Sequence, residues 1–200
     1  MTLQAVLFDF DGTLTKPGIL DFAAIRQRIK CPSGTPLLEH IEALPHGNER
    51  TQAVKILESY EAKAAESSQP HNGAEEIVVF LSSLSLKLGI ITRNSLKSVK
   101  MALEKFKQVS YSDFNVVITR DDKASPKPDP AGILLAARRI KVPADRMLVV
   151  GDYVFDIEAG QRAGALTVFL DNGTITQDHA SLADYTIRNL GELKEIVANR

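Results

Sequence analysis

The sequence predicts an α/β fold in which a parallel sheet is covered by helices and one helical insertion interrupts the alternation. Three observations carry that prediction. Apolar runs of four to seven residues recur along the chain, each is followed by a stretch of helical periodicity, and between Thr15 and Pro70 the runs stop. Leu3 to Phe8 is the first strand, an apolar run that ends at Asp9. The insertion then reads as three helices, Asp21 to Ile29, Pro36 to Ala43 and Glu49 to Ser67, with no β-branched apolar run among them. Ser67 to Gly73 is the one linker-like stretch. Beyond it the alternation resumes, with helices over Gly73 to Leu84, Ser95 to Phe106, Pro130 to Ile140, Asp156 to Ala163 and Leu190 to Asn199. The strands between them are Lys87 to Ile91, Asn115 to Thr119, Met147 to Val150 and Ala165 to Leu170. Ser95 suits a helix cap and Pro130 a first helical turn. Leu81, Leu84, Leu86 and Leu88 read as core. No internal repeat is visible.

Composition bounds the function. A chain of 200 residues, 44% of them apolar, is about one domain with a small insertion and needs neither disulfide nor metal to hold a core. Lys and Arg number 24 against 25 Asp and Glu, for a net charge of −1 with no run of like charges, so a general nucleic-acid or anionic-membrane binder is not expected. The insertion carries seven basic and seven acidic side chains and is no basic clamp by count. Cys31 has no second cysteine to pair with and no acid or base in sequence reach to mark it as a nucleophile. No basic leader with a long apolar stretch opens the chain, and a cytoplasmic address is the expectation. His40, His46, His71 and His179 lack metal-ligand spacing, which leaves a zinc site without support.

In an open parallel sheet, ligands collect outside the carboxyl ends of the strands. Asp9, Asp11 and Gly12 follow the first strand, Thr92, Arg93 and Asn94 the second, and Gly151 and Asp152 the fourth, with Asp156 four positions on. Two carboxylates separated by one residue at a strand end project to the same side and repel unless a cation lies between them. Asp152 adds a third acid from another strand, an oxygen set that suits Mg²⁺. Thr92 and the amides after it can hold a phosphate at the start of the Ser95 helix. Lys127 stands between Pro126 and Pro128 in a stiff loop before a helix, where a fixed cation can neutralise a nucleophile or a phosphate.

These residues fall into four motifs in chain order. They are Val6-Leu7-Phe8-Asp9-Phe10-Asp11-Gly12-Thr13-Leu14-Thr15, Ile90-Ile91-Thr92-Arg93-Asn94, Lys127-Pro128-Asp129-Pro130, and Gly151-Asp152-Tyr153-Val154-Phe155-Asp156. Together they resemble the haloacid dehalogenase superfamily, in particular its phosphoglycolate-phosphatase-like branch, over nearly the whole chain. The resemblance implies a three-layer α/β/α sandwich with a Rossmann-like parallel sheet over residues 1–14 and 71–200, and a small helical cap over 15–70. It implies a Mg²⁺-dependent phosphatase acting through an aspartyl-phosphate on a small phosphate monoester, with phosphoglycolate-like esters among the candidates. Asp9 is then the nucleophile and Asp11 the general acid and base. Mg²⁺ is held by Asp9, the Asp11 carbonyl and Asp152, with Asp156 behind them. Thr92, Arg93, Asn94 and Lys127 are the phosphate-binding candidates. Tyr153 stands where related sequences often have Ser or Thr.

Three rivals stand beside that reading. A dehalogenase needs neither Asp11 nor a metal. A phosphomutase uses the same core, and an idle member would act as a binding or regulatory protein with no reason to keep the whole motif set. Leaving-group contact is expected from the loop Lys30 to Pro36, which offers amides, hydroxyls and one cation. Oligomeric state is not legible.

Overall fold

A computed structural model of the chain describes residues 2–18, 20–173 and 182–200. Six parallel strands form one sheet in the order β3-β2-β1-β4-β5-β6. The strands are β1 (Ala5–Phe8), β2 (Lys87–Ile91), β3 (Val116–Ile118), β4 (Met147–Gly151), β5 (Leu166–Leu170) and β6 (Tyr185–Ile187). Strand β1 is central, with Phe8 opposite both Ile90 and Val150, and all four of its residues are buried. A strand covered on both faces reads as a continuous apolar run rather than an alternating one, which is why it was visible in the sequence.

Helices fill both faces. On one side Val6, Phe8, Leu88, Ile90, Leu148 and Val150 pack with α4 (Ala74–Ser83), α5 (Leu96–Leu103) and α8 (Leu193–Ala198). On the other, Ala5, Leu7, Val116, Ile118 and Val149 meet α6 (Ala131–Ile140) and α7 (Val154–Ala163). The result is the expected α/β/α sandwich. Ser95 caps α5, its hydroxyl accepting from the Ser98 amide. Among the described residues no helix is long and apolar enough to cross a membrane.

Three details differ from the sequence reading. Strand β6 was not anticipated, because it is three residues long, lies at the sheet edge and is flanked by Asp184 and Arg188. Helix α8 begins later than expected, since Asn189 and Glu192 cap each other's backbone and close a 3₁₀ turn first. Leu84 is exposed rather than core, standing just past the end of α4, while Leu81 and Leu88 are buried as expected.

Between β1 and α4 lie α1 (Phe22–Arg28), α2 (Leu37–Ala43) and α3 (Asn48–Ser67). They enclose a core of their own built on Ile25, Ile29, Leu37, Ile41, Ala53 and Leu57. The chain leaves the sheet layer and returns to it at one crossing, where the Lys16 amide donates to the Gln69 carbonyl at 3.0 Å and the His71 amide to the Leu14 carbonyl at 2.8 Å. Helix α3 is fastened to α5 by Glu61, a buried carboxylate that accepts from the hydroxyls of Ser95 at 3.1 Å and Ser98 at 3.2 Å and from the Arg120 guanidinium.

Candidate active site

The strand connections run outward in both directions from β1 and β4, so the order of the sheet switches between these two neighbours. A crevice opens at the carboxyl ends of strands at such a point. Asp9 and Asp11 follow β1 and Asp152 follows β4, so the switch itself places carboxylates face to face. Close approach of the two loops needs Gly12. Its φ is +83°, and a Cβ on it would lie 2.1 Å from Asp152 Oδ2.

Ligand oxygens of Asp9, Asp152 and Asp156 lie within 4.8 Å of one another. The buried Lys127 ammonium donates to Asp9 Oδ1 and to Asp156 Oδ1, both at 2.5 Å, and to the Ile91 carbonyl at 2.9 Å. Burial alone would lower the Lys127 pKa, but Asp156 and Asp9 outweigh it and hold the ammonium form well above its ordinary range. Three carboxylates facing one ammonium leave uncompensated negative charge of the size a divalent ion carries, and an all-oxygen donor set is what Mg²⁺ accepts. Asp152 registers that deficit. Burial chiefly, then the charges of Asp9 and Asp156, push it up to about 8. Asp156 is also raised, burial outweighing the opposing pull of Lys127.

Asp11 turns away from this cluster. Its Oδ2 accepts from Asn94 Nδ2 at 2.7 Å and its Oδ1 from the Thr15 hydroxyl at 3.3 Å. The carboxylate opens to the cavity, yet the surrounding walls crowd it. Desolvation is the chief cause that lifts it to about 6, the Asn94 bond pulls down, and the Asp9 charge adds to the rise. The crevice continues into a cavity of about 620 Å³ between the sheet edge and α1–α3.

A family profile described as haloacid dehalogenase-like hydrolase matches residues 6–170. The chain belongs to that family. An uncharacterized hydrolase of Saccharomyces cerevisiae is 32% identical over 98% of this chain and 92% of its own length. An N-acetylmuramic acid 6-phosphate phosphatase of Pseudomonas aeruginosa is 29% identical over 88% of this chain and 84% of its own. A phosphoglycolate phosphatase of Neisseria meningitidis is 28% identical over 96% and 93%. Among solved structures, a hydrolase from Pseudomonas syringae superposes with a TM-score of 0.81 at 23% identity, covering 96% of this chain and 99% of the other. As a haloacid dehalogenase-like hydrolase with phosphatase-named relatives, the chain is an enzyme of the phosphatase kind.

Within this hydrolase the structure brings Asp9, Asp11, Thr92, Arg93, Asn94, Lys127, Asp152 and Asp156 to one cavity. Like Lys127, the other phosphate-binding candidates have protein partners there. Asn94 bonds Asp11, and its amide donates to the Thr92 hydroxyl at 3.2 Å. Arg93 is committed through both Nη atoms, to Glu39 Oε2 of α2 at 2.5 Å and to the Lys127 carbonyl at 2.7 Å, and its guanidinium lies over Phe155. Asp152 does not cap α7. Tyr153 is the capping residue, and Asp156 turns back to its amide at 3.1 Å.

The expectation for the loop Lys30 to Pro36 fails except at its last residue. Pro36 lines the cavity with Leu37 and Leu38, whereas Lys30 and Thr35 do not. Arg26 holds that loop to its own helix, donating to the carbonyls of Pro32 at 3.1 Å and Thr35 at 2.6 Å. Asn172 was not anticipated. Its Nδ2 bonds the Gly12 carbonyl at 2.8 Å and Asp152 Oδ2 at 3.1 Å, and its Oδ1 lies 3.0 Å from His71 Nε2. It stands just after β5, where the strand-end rule that singles out Asp9, Thr92 and Asp152 also reaches. The metal-capable cluster contains no histidine among the described residues, and His179 lies outside them.

Proposed function

We propose that the chain hydrolyses a phosphate monoester with Mg²⁺ bound, through a phosphoryl group carried on Asp9. The observation that carries the reading is the division of labour between the two acids of the first motif. Asp9 faces the Lys127 ammonium and the acidic cluster, while Asp11 is withdrawn from both and has a pKa raised to about 6. Two neighbouring carboxylates in such different surroundings suit a nucleophile and an acid–base group.

Asp9 attacks phosphorus, and the bond from phosphorus to the ester oxygen breaks as the new bond forms. Asp11 gives its proton to the departing oxygen. It then takes a proton from the water that attacks the phosphorylated Asp9, which releases phosphate and restores both residues. Lys127 fixes Asp9 and opposes the charge that builds on the phosphoryl oxygens, with the Thr92 hydroxyl beside them. Asp9, Asp152 and the backbone carbonyl of Asp11 would hold Mg²⁺, with Asp156 behind through Lys127. The ion supplies the positive charge that lets a carboxylate approach a phosphate dianion. Residues 15–70 serve as a cap that excludes water, on a core made of 1–14 and 71–200.

The test is hydrolysis of para-nitrophenyl phosphate by the purified chain, with and without Mg²⁺, beside Asp11→Asn. Activity that needs Mg²⁺, with acid-stable phosphorylated protein accumulating in Asp11→Asn, is the expected result. Full activity after exhaustive chelation removes the metal from the reading.

A further inference from the structure

The cavity's lining bears on what leaves. At the catalytic end its charges include those of Asp9, Asp11, Arg93, Lys127, Asp152 and Asp156; toward the inserted helices the wall includes the apolar side chains of Leu20, Phe22, Leu37, Leu38 and Leu57. Phe22 is 54% exposed and Tyr153 46%, and both line this cavity. Large apolar side chains left open inside a concave site are the surface an apolar ligand covers.

Charge argues the same way. Among the described residues three cations other than Lys127 line the cavity, namely Lys16, Arg26 and Arg93, and each is turned on a protein acceptor. Arg93, which bonds the Lys127 carbonyl, is neutralised by Glu39. Arg26 donates to the carbonyls of the loop after α1, and Lys16 to Gln69 Oε1 at 2.9 Å. Glu61, on the same wall, is itself paired with Arg120. A second anionic group on the substrate would be desolvated there with its potential partners engaged.

We propose that the leaving group is neutral and largely apolar, a phosphate monoester of an alkyl-type alcohol without a second carboxylate or phosphate. This rests on the phosphatase reading. It departs from the phosphoglycolate-like leaving group that the family resemblance favours, and it makes the Glu39–Arg93 pair a specificity device, since α2 supplies the charge that withdraws Arg93 from any substrate carboxylate.

The experiment compares butyl phosphate with 4-(phosphonooxy)butanoate, which differ only in the terminal carboxylate, and includes phosphoglycolate, methyl phosphate and para-nitrophenyl phosphate, all with Mg²⁺. Butyl phosphate should exceed the carboxylate ester in kcat/KM by about tenfold or more. Lengthening the alkyl chain from methyl should raise kcat/KM by up to about fourfold per buried methylene. Glu39→Gln should narrow the gap by raising the carboxylate ester while butyl phosphate is unchanged. Phe22→Ala, at a position 54% exposed, should lower kcat/KM for butyl phosphate more than for methyl phosphate. Equal or better turnover of the carboxylate ester or phosphoglycolate by the unaltered chain overturns the proposal, and an unchanged ratio in Glu39→Gln overturns the role given to Arg93. Loss of para-nitrophenyl phosphate hydrolysis as well overturns the phosphatase reading, and this inference with it.

Discussion

Asp9 and Asp11 are separated by a single residue and have no partner in common, so replacing each should fail differently. Asp9→Asn removes the proposed nucleophile with little change of shape, and relieves like charge between Asp9, Asp152 and Asp156. Turnover should vanish while the melting temperature holds or rises, as calorimetry would record. In the proposed cycle Asp11 carries a proton at the start, and its raised value near 6 means that this form is lost as pH rises through 6. With an alkyl ester, kcat should fall on the alkaline side with that apparent pKa, and Asp11→Asn should abolish the limb along with roughly 10² to 10⁴ of the rate. Gly12→Ala puts a Cβ into Asp152 at a left-handed position. An approximately 1 Å displacement of a site group can cost about 10²-fold, and a loss of that order in kcat/KM is expected. Asp9, Asp11, Lys127 and Asp152 were legible because each stands in a short local pattern. Glu39 with Arg93 and Asn172 with Gly12 were not, since they are 54 and 160 residues apart in the chain and only the fold brings them together.

Secondary structure followed the same division between local and distant causes. Strand β1 and helices α5 and α6 declare themselves through apolar pattern and capping residues, whereas β6 exists because β5 offers it an edge. Helix α3 is the instructive case. Its periodicity marks a helix, but nothing in it foretells that Glu61 will be buried against α5, since a lone acid on a helix face is ordinarily solvated. Glu61→Ala would leave Arg120 without its counter-charge in a site only 14% exposed at the arginine side chain. Removing one partner of such a pair costs about 3 kcal/mol, to be read as a lowered urea midpoint. Glu61→Gln keeps the acceptor for Ser95 and Ser98 and should cost less.

At the scale of the whole molecule, the acidic cluster ties stability to pH and metal. Asp152 near 8 lies above the ordinary carboxylate range, so the folded protein binds a proton there that the unfolded chain releases near 4. Without divalent ions, the stability that this proton supports is present at pH 4 and lost as pH rises toward and through 8. Mg²⁺ must displace that proton, so its stabilising effect should be larger at pH 8.5 than at pH 6 and should vanish in Asp152→Asn. A thermal-shift titration with Mg²⁺ at both pH values measures this. The crossing at Lys16 and His71 has a further consequence. Because the chain leaves and rejoins the sheet layer at hydrogen-bonded neighbours, residues between them can lengthen, shorten or be exchanged while the gap bridged by the sheet layer stays fixed, and added length there carries only a logarithmic entropy cost. With the proposed cap role, a lineage built on this plan could inherit its chemistry through one stretch of chain and its appetite through another, and alter the second while keeping the first.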